Sequence, residues 1–367
     1  MSQARTRVLA TVIALCLGGA ANAQTSSWSS TIDPTVPKPP AAAAKPVRPT
    51  KPLKTPPHSG DPLSRFQKGP VGAPAPRPDP APTAEDAAFL AFDQGQYMTA
   101  LTIAGKRAEL GDAAACNLVG RIYDEGLGIN KDEVVAARWY KKGAELGDID
   151  AAFALGVMFA EGRGVDKDRV AAGQMFERAA MKQHALANYN LALLFLSGQG
   201  KPENPYRAAQ HLAFAAQKGV AAAQYDLATL YQKGHGVQPD AYEASRWLRR
   251  AAEQGMPEAE YDYAVMLLKG YGLNADMPRA IDYLKSAAAK GLAGAQNRLA
   301  HVYAEGIMQL DRDPVEAAKW RILARDGKIP DAALDDLVAK LSRSDREKAE
   351  KSAQMWRDEN ALELAQQ

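Results

Sequence analysis

The sequence repeats itself every 36 residues from Ala113 onward, and this period constrains the fold more than any other feature. A glycine marks six units at this interval, namely Gly126, Gly162, Gly198, Gly234, Gly270 and Gly306. A second glycine follows in five of them, namely Gly128, Gly164, Gly200, Gly236 and Gly272, and Met308 takes its place in the sixth. Self-similarity with a period of roughly 20 to 50 residues is typical of solenoids built from stacked supersecondary units.

Each unit contains two helical patterns. In one unit Ala223, Leu227 and Leu230 recur at i, i+4 and i+7, which predicts a first helix with one buried face. The second helix is predicted to begin at a repeated Asp or Asn, whose side chain can accept hydrogen bonds from free amides of the first turn. These capping positions are Asp132, Asp168, Asn204, Asp240, Asp276 and Asp313. The pattern predicts an all-α solenoid of helix-turn-helix repeats.

Small residues recur at two further places in the repeat, within the first helix and in the turn that follows it. A column of small residues predicts a close approach of two helix backbones; it comprises Gly120, Gly156, Ala192, Ala228, Ala264 and Ala300. The Gly234-x-Gly236 motif could in principle cradle a phosphate, but such a cradle requires a preceding strand and a third glycine or a Gly-Lys-Ser/Thr ending. We therefore interpret Gly234 as the left-handed stop of the first helix and Gly236 as the residue that lets the chain reverse.

The stretch AAAQYDLATLYQKGHGVQPDAYEASRWLRRAAEQG, residues 221–255, strongly resembles the Sel-1-like repeat family, a relative of the tetratricopeptide repeats. The resemblance covers residues 113–327 in six units. It implies a right-handed α/α superhelix whose members mostly act as adaptors that assemble complexes or regulate signalling at membranes. It brings no catalytic residues, so we expect a non-catalytic protein without a cofactor.

Two exported groups of this family suggest different functions. Some secreted members have paired cysteines in every repeat and are credited with β-lactam binding or hydrolysis, which makes a secreted hydrolase the alternative function; those cysteines are absent here. Another group restrains a membrane sensor kinase. In this chain Cys116 is the one cysteine beyond residue 23, and we interpret it as a small helical side chain, with an intermolecular disulfide as the alternative.

The segments that flank the repeats have distinct compositions. Residues 1–23 read as a secretory signal peptide, with Arg5 and Arg7 before an apolar run and a small-x-small ending, which predicts a periplasmic or secreted protein. Residues 24–83 contain 16 of the 23 prolines and are predicted to form a disordered, polyproline-II-like linker, either a spacer or a ligand for a partner. Residues 84–112 resemble a degenerate first repeat, and residues 328–367 are expected to form capping helices, the last opened by a Ser344-x-x-Glu347 capping box.

Composition and residue spacing bear on the class of function. The five histidines are scattered without metal-ligand spacing, and the chain offers no converging set of acid, base and nucleophile. Residues 84–367 carry a net charge of about −5, which argues against nucleic-acid binding. We therefore expect a protein partner, such as a membrane sensor or an envelope assembly factor, and no direct membrane insertion after signal cleavage.

The first helix of each repeat is expected to line the concave side of the superhelix, where a partner would bind. The predicted partner-binding residues are Phe153, Val157, Tyr189, Asn190, Leu193, Leu196, Tyr225, Asp226, Tyr261, Asp262, Val265 and Leu268. The aromatic rings could equally belong to the packing of the repeat, and the polar side chains could bond a ligand backbone or merely face water. The five aliphatic side chains would form an interaction patch only if they are exposed.

Overall fold

The computed structural model describes residues 84–306 and 311–364, and this part of the chain consists of sixteen helices joined by short turns, without a strand. An opening pair comprises α1 (Ala84–Asp93) and α2 (Tyr97–Glu109). The first helices of the six repeats are α3 (Ala113–Glu125), α5 (Ile149–Glu161), α7 (Ala185–Ser197), α9 (Ala221–Lys233), α11 (Pro257–Lys269) and α13 (Ala293–Glu305). The second helices are α4 (Glu133–Glu145), α6 (Arg169–Met181), α8 (Pro205–Gln217), α10 (Ala241–Glu253), α12 (Met277–Ala289) and α14 (Pro314–Asp326).

Capping sets the boundaries of the helices within each repeat. Gly234 ends α9 in the left-handed conformation, with φ of 67°, and its amide bonds the Leu230 carbonyl oxygen. Asp240 begins α10 by accepting hydrogen bonds from the amides of Tyr242 and Glu243. The other repeats use the same two devices, so the all-α solenoid and its turn chemistry are confirmed. Stacked neighbours bury the apolar face of each short helix pair.

The second glycine of the turn has a role beyond chain reversal. Gly236 has φ of 75°, and a Cβ atom placed on it would lie 2.2 Å from the carbonyl oxygen of Pro205, the first residue of α8 in the preceding repeat. Gly164, Gly200 and Gly272 touch the start of the preceding second helix in the same way. These four second glycines therefore bring one repeat into direct contact with the backbone of its neighbour, whereas a Cβ atom on Gly128 would meet the Tyr97 side chain, at 3.3 Å.

The prediction that two helix backbones approach at the small-residue column needs correction. A Cβ atom on Gly156 would lie 2.7 Å from the ring of Phe176 on α6, and one on Gly120 would lie 2.7 Å from the ring of Tyr140 on α4. An aromatic ring therefore fills the space over each glycine. In the third to fifth repeats, where the column holds alanine, the equivalent residue of the second helix is a buried leucine, namely Leu212, Leu248 and Leu284. Side-chain volume is thus compensated across the two helices.

We expect Gly156→Ala to lower the free energy of unfolding by about 2 kcal/mol, because the added methyl group overpacks against Phe176. Adding Phe176→Leu recreates the alanine–leucine pair of the middle repeats and should recover most of this loss. Urea denaturation of the two single variants and the double variant measures the coupling energy between residues 156 and 176. Gly105→Ala, in the middle of α2 with no atom within 4 Å of the new Cβ, should instead raise stability by up to about 1 kcal/mol.

Beyond the sixth repeat the chain forms α15 (Ala332–Lys340) and α16 (Arg343–Leu364). The predicted capping box at Ser344 and Glu347 is wrong. Ser342 accepts a hydrogen bond from the Asp345 amide and its hydroxyl donates to the Asp345 carboxylate, so Ser342 caps the helix two residues earlier. The reason is that α16 begins at Arg343, which places Ser344 inside the first turn and leaves Glu347 to pair with Arg343 one turn away.

A buried arginine fastens α15 to the last repeat. Arg321 lies at the position of Leu284 in the preceding repeat, shifted by the one-residue insertion, and its side chain is only 2% exposed. Its guanidinium donates to both carboxylate oxygens of Asp335, at 2.6 and 2.9 Å, and to the carbonyl oxygen of Ile329 at 2.8 Å. It also donates to Asn297 Oδ1 on α13 at 2.9 Å. One charged side chain therefore joins the final repeat, the following loop and the cap.

The structure also bears on the interpretation of Cys116. Cys116 is fully buried and its Sγ lies 3.7 Å from the Ala108 carbonyl oxygen, an environment that raises the pKa of the thiol and keeps it from another molecule. The interpretation as a small helical side chain therefore fits, and the intermolecular disulfide does not. The predicted signal peptide, the proline-rich linker and Met308 lie outside the described residues.

Candidate functional site

Tyrosines and carboxylates of successive first helices form a row across the third to fifth repeats. We define this Tyr–Asp row as Tyr189, Asn190, Tyr225, Asp226, Tyr261 and Asp262. The Tyr225 hydroxyl donates to Asp262 Oδ2 of the next repeat at 2.9 Å, and Tyr189 hydrogen-bonds Asp226 in the equivalent way. The partner of each of these two tyrosines lies 37 residues further along the chain, in the first helix of the next repeat, and Arg298 takes the corresponding position for Tyr261.

The carboxylates of the row sit in an environment that disfavours their charge. Burial raises the pKa of Asp226 to about 6, although the hydrogen bond from Tyr189 and the charge of Lys233 lower it. Burial likewise raises the pKa of Asp262 to about 6, and nearby Glu258 adds to this rise. Lys269 follows Asp262 by seven residues, as Lys233 follows Asp226. Two partly buried carboxylates with raised pKa values therefore lie on successive first helices.

We expect Asp262→Asn to raise the free energy of unfolding by about 1 kcal/mol at pH 7.5 and to change it little near pH 4. The folded-state pKa of about 6 exceeds the unfolded value of 3.8, so the folded protein binds this proton more tightly. The cost of the carboxylate to stability therefore builds up as pH rises from about 4 to about 6 and stays constant above that. The amide keeps an oxygen that can accept from Tyr225. Urea denaturation at both pH values checks this, and a variant less stable than the wild type at pH 7.5 would contradict it.

Asn190 occupies the same position as Asp226 and Asp262 but lacks their hydrogen bond. Its side chain is only 3% exposed, and its Oδ1 has no partner among the described residues. The reason lies one repeat earlier, where Phe153 stands in place of tyrosine and has no hydroxyl to donate. The Phe153 ring instead packs against Phe176 and His184, with ring centroids 5.9 and 4.5 Å apart.

The aliphatic members of the predicted site do not form an open apolar patch. Val157 is buried, and Leu193, Leu196, Val265 and Leu268 are partly buried. Leu193, Leu196 and Leu268 pack against the main hydrophobic core. The condition under which these aliphatic groups would form an interaction patch is therefore not met.

Sequence reasoning placed the tyrosines and aspartates on one face but missed that they bond each other. The signal was present as the dipeptides Tyr189-Asn190, Tyr225-Asp226 and Tyr261-Asp262, which recur every 36 residues. The buried Arg321 was also missed. Aligning the last repeat across its one-residue insertion would have revealed a charge in a leucine position.

Comparison with known proteins now identifies the repeat. The Sel1 repeat model matches six consecutive segments, namely residues 113–148, 149–184, 185–220, 221–256, 257–292 and 293–326. The chain belongs to the Sel1 repeat family. Proteins built from Sel1 repeats generally mediate protein–protein interaction, and their scaffold is typically non-catalytic.

Two solved structures resemble this Sel1 repeat protein. A Sel1 repeat protein from Oxalobacter formigenes is 31% identical, with a TM-score of 0.59, over 66% of this chain and 97% of that one. The protein c5321, a protective antigen present in uropathogenic Escherichia coli strains and displaying an SLR fold, is 24% identical, with a TM-score of 0.51, over 76% of this chain and 73% of that one. The second likeness bears on the fold alone. No curated protein matched the chain.

Two further features of the described residues concern metal binding and membrane crossing. In residues 84–306 and 311–364, no three side chains of His, Cys, Asp or Glu come together in a way that could hold a metal ion. No helix in the same ranges is both long and apolar enough to cross a membrane.

Proposed function

We propose that this Sel1 repeat protein is an exported, non-catalytic scaffold or regulator that binds a partner protein through the Tyr–Asp row. The observation that carries the proposal is the row itself, in which side chains from three consecutive repeats align and bring together tyrosines and two partly buried carboxylates. Stacked repeats offer extended surfaces of this kind. Export is supported by the signal-like composition of residues 1–23.

The proposed partner is an inner-membrane sensor, which the protein would restrain, or a factor in envelope assembly. A photo-crosslinking amino acid in place of Tyr261 tests the contact in intact cells, because this tyrosine is partly exposed and belongs to the row. The matched control replaces Tyr242, a 62% exposed tyrosine of α10 outside the row. We expect a specific crosslinked protein from position 261 and none from position 242.

The identity of the captured protein then separates a sensor from an assembly factor. Crosslinking that is equal at the two positions, or absent at position 261, would contradict the proposed binding surface. Export has its own test, which is the N-terminal residue of the protein recovered from the cell envelope; the proposal expects Gln24.

A further inference from the structure

The last tyrosine of the Tyr–Asp row meets a cation where the preceding tyrosines meet a carboxylate. The Tyr225 hydroxyl donates to Asp262 at 2.9 Å, and the equivalent position for the Tyr261 hydroxyl, 37 residues further along the chain, is Arg298. An arginine side chain offers only hydrogen-bond donors, so it cannot receive the bond that aspartate receives in the two preceding steps. The last step of the row therefore lacks its acceptor.

A contact between α11 and α13 places Tyr261 beside Arg298. A Cβ atom on Gly294, one turn before Arg298 on α13, would lie 3.9 Å from Tyr261 Cζ, the ring carbon that carries the hydroxyl. Apart from α13 itself, no other atom of the described residues lies within 4 Å of that Cβ position, so the space beside the hydroxyl is open on this side. Burial raises the pKa of Tyr261, and the charge of the partly buried Arg298 lowers it.

Neither of these two side chains is satisfied within the protein. Among the described residues, the Tyr261 hydroxyl and the Arg298 guanidinium have no hydrogen-bond or ion-pair partner. Donors withdrawn from water without an acceptor are costly. A second cation lies nearby, because burial lowers the pKa of Lys269 on α11 and the charge of Arg298 lowers it further. Two cations and a hydroxyl donor therefore converge at the junction of the fifth and sixth repeats.

Resting on the proposed function, we infer that the carboxylate of an aspartate or glutamate side chain of the partner protein binds between Tyr261, Lys269 and Arg298. This carboxylate would take the place that Asp226 and Asp262 hold in the two preceding steps of the row. One oxygen accepts from the Tyr261 hydroxyl, and the two oxygens together match the parallel N–H donors of a guanidinium. The partner would thus supply the acceptor that the sixth repeat lacks.

A glutamate peptide serves as the probe. The labelled peptide is Gly-Gly-Glu-Gly-Glu-Gly-Gly, and two control peptides with the same label carry glutamine or lysine in place of both glutamates. Fluorescence anisotropy with the full chain at pH 7.5 measures binding, at low ionic strength because salt screens exposed charges. NMR of the arginine side-chain Nε–Hε groups locates the peptide, since the signal that disappears in Arg298→Gln belongs to Arg298.

We expect Arg298→Gln to weaken binding of the glutamate peptide at least about tenfold, because it removes a charge-assisted pair of hydrogen bonds. Arg298→Asp supplies the internal acceptor of the preceding steps and should abolish binding. Arg343→Gln is the matched control; it removes a 93% exposed cation from α16 and should change binding by less than about twofold. Thermal unfolding shows that each variant is folded.

Tyr261→Phe separates the role of the hydroxyl from that of the ring. It should weaken binding of the glutamate peptide by about three- to tenfold, the contribution of one hydrogen bond. In the wild type it should leave the melting temperature nearly unchanged, because the hydroxyl has no internal partner among the described residues. In the Arg298→Asp background it should lower the melting temperature, because the hydroxyl then donates to the new carboxylate.

Equal affinity for the glutamate and glutamine peptides would overturn the inference, as would an Arg298→Gln variant that binds like the wild type. Inorganic phosphate tests the other source of an anion. If phosphate shifts the Arg298 signal and the glutamate peptide does not, the site takes free anions and the inference is wrong.

The proposed function fails separately. If position 261 captures a protein in cells while the glutamate peptide does not bind, the row is an interaction surface for a different chemistry and only the inference falls. A peptide that binds while position 261 captures nothing would contradict the proposed function alone. If neither occurs, both proposals fall.

Discussion

Gly236→Ala is expected to lower the free energy of unfolding by about 4 kcal/mol, and alanine at Gly164, Gly200 or Gly272 should have a similar effect. Two costs add. The left-handed conformation at φ of 75° penalises a side chain by about 1 to 2 kcal/mol. The new Cβ would also lie 2.2 Å from the Pro205 carbonyl oxygen, so two repeats must separate to admit it. Urea denaturation followed by tryptophan fluorescence measures the change.

Gly219→Ala is the matched control for this variant. Gly219 also has positive φ, at 92°, yet nothing lies within 4 Å of a Cβ placed on it. We expect a loss of only about 1 kcal/mol, since conformational strain remains and the clash between repeats is absent. Equal losses at positions 219 and 236 would mean that the contact between repeats contributes nothing and that strain explains both.

Asp335→Ala should lower the free energy of unfolding by about 3 kcal/mol, because it leaves the Arg321 guanidinium buried without its carboxylate. The hydrogen bonds to Asn297 and Ile329 remain but do not balance the charge. The neighbouring Trp320 is buried on α14, so tryptophan fluorescence is a suitable probe of this end of the array. Unfolding should lose cooperativity, with α15 and α16 separating before the repeats.

Two control variants test whether the loss in Asp335→Ala comes from the unpaired buried charge. Asp336→Ala, on the same helix, removes an exposed carboxylate that pairs with Lys340 one turn away, and should cost less than about 0.5 kcal/mol. Arg321→Leu restores the residue type of the equivalent position in the preceding repeat and should cost less than Asp335→Ala, because Asp335 keeps its pairing with Arg325. If Arg321→Leu lowered the free energy of unfolding more than Asp335→Ala, the cost of Asp335→Ala would not arise from an unpaired buried charge.

Much of the fold could be read from local sequence because its determinants are local. A left-handed stop such as Gly234 and a cap such as Asp240 act within a few residues, and their recurrence gives the period directly. The contact of Gly236 with Pro205 could not be read in this way, because it depends on how far one repeat is rotated and shifted against the next. The cap at Ser342 was missed because two serines compete within three residues and both satisfy the local pattern.

The sequence predicted which residues of the first helices belong to the candidate site, but it did not predict the hydrogen bonds between them. Helical periodicity places Tyr225 and Asp226 on the same helix as neighbours, which suggests that both face a ligand. The structure instead pairs Tyr225 with Asp262 across the boundary between repeats, and it leaves the buried Asn190 Oδ1 without a partner among the described residues. Such pairings depend on the stacking distance, which no single repeat encodes.

The position of Arg321 also bears on how an array of this kind can change its length. A unit appended after the sixth repeat would have to stack on the face that Arg321 and α15 already cover, and it would meet a charge where its own packing needs a leucine. A unit duplicated among the third to fifth repeats meets no such barrier. It would add one more tyrosine–aspartate hydrogen bond between repeats. Duplication of an internal repeat would therefore lengthen the Tyr–Asp row and leave the flanking helix pairs unchanged.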